Sequence, residues 1–193
     1  MSYDDIRTGD VAAVVTFLEM RKKPQQDVPV SELSLRWIEN PQTDPYRKLF
    51  RQVGSPWLWF SRLVMDDAAL AAIIQHPEVD LYAVLDEAGR EVGILELDFR
   101  KKGEGELSFV GLIPELSGQG HGRWLLAEAV RLAWRDGVVR VHVHTCTLDH
   151  PAALSAYRRA GFEPYRRAIE HFPDPRLIGI LPRDCAPQIP LIG

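Results

Sequence analysis

The segment that decides the fold is Glu106-Leu-Ser-Phe-Val-Gly-Leu-Ile-Pro-Glu-Leu-Ser-Gly-Gln-Gly-His-Gly-Arg-Trp-Leu-Leu126. It predicts a buried strand, a glycine-rich turn and the first turn of an amphipathic helix. Gly118, Gly120 and Gly122 permit a tight turn and leave room beside the backbone, so successive N–H groups at a helix N-terminus can face one diphosphate. The segment therefore predicts a site for a nucleotide-bearing ligand, the alternative being a glycine-rich connection that binds nothing.

Two familiar phosphate-binding turns do not fit this segment. A dinucleotide site of the Rossmann type needs G-x-G-x-x-G early in a repeated βαβ pattern and an acidic residue about 20 positions further on. Here the glycines are spaced as Gly118-x-Gly120-x-Gly122 and follow a meander. A P-loop is excluded as well, because no Gly-Lys-Ser or Gly-Lys-Thr follows the glycines.

Upstream of this segment, apolar and polar residues alternate through three stretches, which predicts an antiparallel meander. Its strands are expected over residues 81–85, 92–99 and 106–113. Near the start of the chain we expect a strand over residues 10–20, because the apolar residues there are mostly β-branched. Two helices are expected between these strands, one over residues 46–53 with Asp44 as its N-cap and one over residues 68–75 after Asp66 and Asp67.

Downstream of the glycine turn the pattern predicts a helix over residues 123–135 and a strand over residues 139–147. That strand runs parallel to the strand before the turn if the crossover is an ordinary βαβ unit. Another helix over residues 151–160 and a last strand beginning at Phe162 follow. The tail from His171 is rich in proline, so we expect it to be extended and either packed along the surface or loosely ordered.

The composition limits the class of protein. The chain has 193 residues, 46% of them hydrophobic, which predicts a single domain over residues 1–193. Its net charge of -4 and the absence of a basic block disfavour nucleic acid as a partner. No apolar run is long enough for a bilayer and the first residues do not read as a signal peptide, so we expect no membrane partner. Cys146 and Cys185 lack metal or disulfide spacing, which favours reduced thiols in the cytoplasm.

A second motif lies at His150-Pro-Ala-Ala-Leu-Ser-Ala-Tyr-Arg-Arg-Ala-Gly-Phe162. Together with the glycine turn it resembles the GNAT superfamily of N-acetyltransferases. The loop of that family reads Arg or Gln-x-x-Gly-x-Gly or Ala, and its next helix reads Asn-x-x-Ala-x-x-x-Tyr-x-x-x-Gly-Phe. The residues that match are Gly120 and Gly122 in the loop and Ala153, Tyr157, Gly161 and Phe162 in the helix.

The resemblance is specific from about residue 106 to residue 165, where one helix and one strand separate the two motifs, as in that family. Two positions depart from the pattern. Ser117 stands where the loop has Arg or Gln, and His150 stands where the helix has Asn. The first departure removes a long polar side chain from the expected diphosphate site, and the second alters the corner between strand and helix.

The resemblance implies an α/β (α+β) fold with a mixed, mostly antiparallel sheet flanked by helices. It also implies acetyl-CoA as co-substrate and no metal, with the cleft formed where the strand before the glycine turn and the returning strand splay apart. A bulge near Leu112 would expose a backbone N–H to the thioester carbonyl. The residues expected to contact the cofactor are Leu112, Ile113, Ser117, Gly118, Gln119, Gly120, His121, Gly122, Arg123, His150 and Ala153.

The same resemblance implies direct attack by an amine, which needs a base for the ammonium proton and an acid for the CoA thiolate. Glu106 is the candidate base, because it lies at the offset from the glycines that the catalytic glutamate has in the histone-modifying members. Strand alternation puts it on one face with Ser108 and Leu112, subject to the bulge. A solvent-facing glutamate is the alternative, with Glu96 and Asp98 as substitute bases.

Tyr157 is the candidate acid, because it matches the tyrosine that many members of the family direct at the CoA sulfur. An aromatic residue packed under the helix is the alternative. His142, His144 and Cys146 share one face of the returning strand, but residues two apart on a flat strand do not converge on one ion, so a metal site is disfavoured. Cys146 lacks a defined histidine partner, which also disfavours an acyl-cysteine.

By the same resemblance, residues 1–80 form the acceptor side, residues 81–170 the sheet and cofactor core, and residues 171–193 the tail. Trp57, Trp59 and Phe60 are expected either as an apolar wall for the acceptor or as ordinary core. The expected partner is a primary amine of a small molecule or peptide, and a homodimer is possible. Four arginines are expected either to reach the 3′-phosphate of CoA or to form a solvated face: Arg158, Arg159, Arg166 and Arg167. A non-catalytic acyl-CoA-binding or sensing protein is the alternative function.

Overall fold

The structure is a computed structural model, and it describes residues 5–25 and 27–193. Its strands are β1 (Asp10–Met20), β2 (Ser34–Trp37), β3 (Val79–Leu85), β4 (Glu91–Asp98), β5 (Glu104–Leu112), β6 (Arg140–Cys146) and β7 (Glu163–Pro173). Its helices are α1 (Thr43–Gly54), α2 (Asp67–Ile74), α3 (His121–Ala133) and α4 (Ala153–Arg159). The 3-10 turns Ser55–Trp57 and Pro114–Leu116 follow α1 and β5.

The strands form an open, mixed sheet in the order β2-β3-β4-β5-β6-β1-β7. The antiparallel meander β3-β4-β5 and the parallel return of β6 beside β5 are confirmed. Because the other described pairs are antiparallel as well, the predicted mixed and mostly antiparallel sheet flanked by helices is confirmed. The N-terminal strand β1 lies between β6 and β7, a position that its own sequence did not indicate.

The sheet is covered on both faces, and each face has its own apolar core. On one face α3 packs residues spaced by three and four positions, including Leu125, Ala129 and Val130, onto β4 and β5. On the other face α1 and α2 bury Phe50, Val53 and other apolar residues against β3 and β4. The glycine turn and the 3-10 turn Ser55–Trp57 thus belong to elements on opposite faces of the sheet.

The N-terminus of α2 agrees with the sequence prediction, whereas the N-terminus of α1 does not. Asp66 and Asp67 lie at the N-terminus of α2, where acids were expected, and Asp66 is in addition its N-cap, accepting a hydrogen bond from the Ala69 N–H at 2.8 Å. The predicted cap Asp44 is wrong, because α1 begins at Thr43 and places Asp44 inside its first turn, where the helix dipole favours an acid. Among the described residues, no helix has the length and apolar character that crossing a bilayer requires.

The segment after β7 is packed rather than loose. Residues 171–173 extend β7, and the chain then turns back so that Leu181 and Ala186 are buried against the core on the α1 side. A buried ion pair holds this turn: Arg176 donates to Asp174 at 2.7 Å, and both side chains are 2% exposed. Arg176 also donates to the Ala186 and Ile189 carbonyls at 3.1 and 2.9 Å.

Replacing Arg176 by methionine should cost about 3 kcal/mol of unfolding free energy, because the Asp174 carboxylate and several carbonyls would lose their buried partner. Urea unfolding measures the loss. The matched control is Arg90→Met, which removes an Asp86–Arg90 ion pair in which the arginine side chain is 79% exposed. Exposed pairs contribute less than about 1 kcal/mol, so equal losses for the two variants would contradict the role assigned to Arg176.

Candidate active site

A cleft opens where β5 and β6 stop pairing. The parallel register runs from Glu104 opposite Arg140 to Glu106 opposite His142, and β5 continues beyond it without β6. The gap forms part of a cleft with a volume of about 1590 Å³, lined by residues of β5, β6, α3, α4 and the aromatic segment after α1. The splayed strand pair expected from the sequence is therefore present.

The bulge in β5 lies at a different position from the one expected. Glu96 pairs with Phe109 whereas Leu97 pairs with Leu107, so Ser108 is the extra residue on β5. Leu112 pairs regularly with Gly93, and the predicted bulge near Leu112 is wrong. Strand alternation alone carries no mark of an inserted residue, which is why the sequence did not locate it.

The bulge also changes which side chains share a face. Glu106 on β5 lies opposite Asp98 on β4, so the two side chains share a face of the sheet. Asp98 shares that face with Glu96, which contacts Tyr46 of α1, so Glu106 lies on the α1 side. Leu112 instead packs against the core on the α3 side. The expectation that Glu106 and Leu112 share one face is therefore wrong, because the extra residue between them reverses the alternation.

Backbone donors of β5 face the cleft without the need for a bulge. The Ile113 N–H donates to the Val92 carbonyl at 2.9 Å, toward β4. Since N–H directions alternate along a strand, the N–H groups of Val110 and Leu112 point the other way, toward the gap left by β6. A ligand carbonyl in this gap could accept a hydrogen bond from either group.

The glycine turn has the conformation that its composition suggested. Gly118 and Gly120 have left-handed φ values of 78° and 86°, and Gly120 is the N-cap of α3. A Cβ atom added at Gly118, Gly120 or Gly122 would meet nothing within 4 Å, so the backbone borders open space. The turn thus presents the N-terminus of a 13-residue helix to the cleft, a suitable place for an anion.

The other residues expected around the cofactor divide into two groups. Leu112, Ile113, Ser117, Arg123, His150 and Ala153 line the cleft together with the three glycines. Two side chains of the loop are engaged elsewhere: Gln119 donates to the Glu115 carbonyl at 2.8 Å, and His121 lies 3.3 Å from the Ser31 hydroxyl. For Gln119 and His121, only the backbone therefore remains for a ligand in the loop.

Asp149 fixes the corner between β6 and α4, a role that sequence reasoning missed. Its carboxylate accepts from the Thr145 hydroxyl at 2.8 Å and from the Cys146 N–H at 2.9 Å. It also accepts from the Trp59 indole N–H at 3.1 Å, which ties the corner to the aromatic segment after α1. An aspartate in a turn directly after a strand is a typical signal for such a role, but it does not reveal the tryptophan.

Of the three carboxylates considered as the base, Glu106 is the one that is neither buried nor held by an arginine, and it lines the cleft. Its side chain is 33% exposed and lies 3.8 Å from Nδ1 of His144 across the diverging strands. The two substitutes differ from it. Glu96 is 0% exposed and accepts from the Tyr46 hydroxyl and the Arg62 guanidinium, both at 2.6 Å, so it belongs to the core.

Asp98 is the second substitute, and it is held by its neighbour. The Arg100 guanidinium donates to it at 2.5 Å, and the Arg100 backbone N–H donates at 2.9 Å. Burial by itself would raise the pKa of Asp98, but the hydrogen bonds from Arg100 outweigh burial and lower that pKa below its usual value. A carboxylate stabilised in this way is a weak base.

Tyr157 lies on α4, where its ring is packed in the core and also borders the cleft. Its side chain is 9% exposed and makes an edge contact with Phe162 at 5.9 Å, yet the residue also lines the cleft. Burial, and after it the charge of Asp149, raises the pKa of Tyr157 well above its usual value. The hydroxyl therefore stays protonated at neutral pH and can donate a hydrogen bond to a group in the cleft.

The histidines and the cysteine of β6 face carboxylates. His142 lies 3.3 Å from Glu104, and in the described part of the chain no group of three or more metal-ligating residues converges. Burial, and after it the charge of Asp149, raises the pKa of Cys146 to about 11. Its thiol is thus protonated at neutral pH and is a poor nucleophile.

The aromatic segment after α1 serves as core and as cleft wall at once. Trp59 packs against Phe50 and Phe109 at ring distances of 5.6 and 5.2 Å, and Phe60 packs against Phe172 at 4.8 Å. Trp57, Trp59 and Phe60 all line the cleft as well. Of the arginines considered for a 3′-phosphate, Arg159 borders the cleft, whereas Arg166 lies over the Phe17 ring at 3.7 Å.

Several solved structures share this fold at low sequence identity. A GCN5-related N-acetyltransferase from Sphaerobacter thermophilus has a TM-score of 0.63 and 17% identity, over 86% of this chain and 52% of that protein. A GCN5-related N-acetyltransferase from Kribbella flavida has a TM-score of 0.54 and 17% identity, over 89% of this chain and 63% of that protein. An aminoglycoside acetyltransferase from an uncultured soil metagenomic sample, in complex with sisomicin, has a TM-score of 0.54 and 16% identity, over 67% of this chain and 88% of that protein.

The chain thus spans about half the length of the Sphaerobacter thermophilus protein. Comparison with curated proteins gives no match. The family model described as the acetyltransferase (GNAT) family matches residues 35–162, which include the meander, the glycine turn and the motif on α4. With the splayed strands and the glycine turn in place, the chain belongs to the GNAT family of acetyltransferases.

Proposed function

We propose that the protein transfers the acetyl group of acetyl-CoA to a primary amine by direct attack. The observation that carries the proposal is the position of the glycine turn, which puts the N-terminus of α3 at the edge of the gap between β5 and β6. Membership in the family supports an acyltransferase activity. The cofactor, the acceptor and the catalytic residues belong to the proposal.

In this proposal the diphosphate lies against the backbone N–H groups of residues 118–123, and the pantetheine arm runs beside β5. The thioester carbonyl then accepts a hydrogen bond from the Leu112 N–H, with Val110 as the other donor on that side. Such donors stabilise the negative charge that develops on the carbonyl oxygen as the amine attacks. Trp57, Trp59 and Phe60 form the apolar wall on the acceptor side.

Glu106 takes the proton that the ammonium must lose before its nitrogen attacks the carbonyl carbon. Its accessibility and its position on the α1 side support this role, as does the engagement of Glu96 and Asp98 with arginines. As the C–S bond breaks, Tyr157 donates its hydroxyl proton to the departing CoA thiolate, and the second proton that the nitrogen loses on becoming an amide returns to the Tyr157 oxygen by way of solvent. The base on β5 and the acid on α4 then act on the same reacting centre from two different elements.

Replacing Tyr157 by phenylalanine should lower kcat about 10- to 100-fold and leave coenzyme A affinity nearly unchanged. The substitution removes the hydroxyl but keeps the ring that packs on Phe162. Steady-state kinetics with a working amine measures kcat, and calorimetry measures affinity. An unchanged kcat would refute the acid role, and a lost affinity would indicate that Tyr157 instead supports the cofactor site.

The acceptor is proposed as a cationic amine, because Glu106 and Glu170 line the cleft on the α1 side, where the lining arginines Arg62 and Arg100 are already paired with Glu96 and Asp98. The aminoglycoside acetyltransferase among the structural neighbours makes aminoglycosides one class to test. A thiol-release assay over polyamines, amino acids, aminoglycosides and peptide N-termini tests the activity. Release with at least one amine supports the enzyme, whereas coenzyme A binding without release from any of them supports a sensing protein. The homodimer and the cytoplasmic location stay predictions.

A further inference from the structure

The two departures from the family pattern contact each other. Ser117, which precedes the glycine turn, and His150, which precedes α4, lie 33 positions apart in the sequence. The Ser117 hydroxyl oxygen is 3.1 Å from Nε2 of His150. The substitution in the loop and the substitution at the strand-to-helix corner therefore form one structural unit.

The hydrogen bonds of His150 fix the direction of this contact. Its Nδ1 accepts from the Ala152 backbone N–H at 3.1 Å, so Nδ1 carries no proton. In a neutral imidazole the proton is then on Nε2, which donates to the Ser117 oxygen. The serine hydroxyl thus receives a hydrogen bond and keeps its own proton for another acceptor.

The surroundings hold the unit at the cleft. The Trp57 ring packs edge-on against the imidazole at 5.1 Å, opposing its rotation away from Ser117. Ser117, His150 and Trp57 all line the cleft, beside the open backbone of Gly118. The proposed function puts a diphosphate at this turn, and its oxygens are acceptors for such a proton.

We propose that the Ser117 hydroxyl donates to the diphosphate of the bound acyl-CoA, and that His150 is the residue that positions it. In this proposal the Ser117 hydroxyl, oriented by His150, contacts the diphosphate in place of the longer arginine or glutamine side chain that the family pattern has at that loop position. The inference rests on the proposed function, because it needs a diphosphate at the glycine turn.

A double-mutant cycle in coenzyme A affinity tests the pair. Ser117→Ala should weaken binding about tenfold, as expected for loss of a hydrogen bond to a charged group. His150→Asn should weaken binding less in the unmodified protein and not at all once Ser117 is alanine, because it acts through the hydroxyl. Ser117→Thr keeps a hydroxyl and should retain most of the affinity.

Two controls separate this role from a structural one. Ser55→Ala removes another exposed serine hydroxyl, bonded to the Arg51 carbonyl at 2.7 Å, and should leave affinity unchanged. Acetyl-pantetheine, which lacks the diphosphate, should give the same kcat/KM with Ser117→Ala as with the unmodified protein. A change with acetyl-pantetheine as large as the change with acetyl-CoA would overturn the inference.

The outcomes distinguish the inference from the function on which it rests. If the unmodified protein does not bind coenzyme A, the proposed function fails and the inference fails with it. If the unmodified protein binds coenzyme A but Ser117→Ala binds it equally well, or the two substitutions are additive, the inference alone is overturned. Tenfold loss with non-additivity and rescue by threonine supports it.

Discussion

Replacing Gly120 by aspartate is expected to abolish measurable coenzyme A binding. Gly120 has φ of 86° and is the N-cap of α3, at the centre of the proposed diphosphate site. Aspartate tolerates this backbone conformation better than most residues, and the space beside Gly120 is open, so the fold should survive. Its carboxylate would occupy the place of the diphosphate and repel it, lowering affinity at least about 1000-fold. Calorimetry measures the loss.

Gly137→Asp is the matched control for that variant. Gly137 has φ of 82°, borders open space like Gly120, and lies beyond the other end of α3. The control adds the same charge and the same backbone strain away from the cleft, and it should bind coenzyme A as the unmodified protein does. Retained affinity in Gly120→Asp would remove the diphosphate from the glycine turn.

Replacing Glu106 by glutamine should lower kcat/KM for the amine about 1000-fold, within the range that general-base catalysis supplies. Glutamine keeps the size and the hydrogen bonding of the side chain but cannot accept the ammonium proton. Coenzyme A affinity should stay unchanged, since the side chain faces the α1 side and not the α3 side. Steady-state kinetics with varied amine measures the effect.

Glu104→Gln is the control for Glu106→Gln. Glu104 lies two residues away on the same strand, where it pairs with Arg140 at 2.9 Å, and it does not line the cleft. Its substitution should change kcat/KM less than about threefold, because it removes a part-buried ion pair that lies outside the cleft. If Glu106→Gln is as active as this control, another group deprotonates the amine and the base assignment is wrong.

The parts of the fold that could be predicted are those written in consecutive residues. The alternation of apolar and polar residues predicted the meander, and the glycines predicted the strand-turn-helix unit. The glycine turn and the motif on α4 together indicated the family. The position of β1 between β6 and β7 depends on pairing across more than 100 residues, which no local pattern encodes. The bulge at Ser108 could not be predicted for a related reason, because it is defined by the pairing of β5 with β4.

The candidate site was predictable to a similar extent. The glycines, Glu106 and Tyr157 came from motif positions, and the structure brings them to one cleft. The burial of Glu96 could not be read from its strand, because it depends on Tyr46 and Arg62 reaching it from other elements. The roles of Asp149 and of the Ser117–His150 contact likewise depend on partners brought together by the fold.

The central claim is that the cleft between β5 and β6 holds acetyl-CoA with its diphosphate on the glycine turn. A crystal structure of the protein grown with coenzyme A tests it most directly. We expect the diphosphate within hydrogen-bond distance of the N–H groups of residues 118–123, and the pantetheine arm between the diverging strands. Coenzyme A bound elsewhere, or strands β5 and β6 paired along their whole length with the cleft closed, would contradict the account.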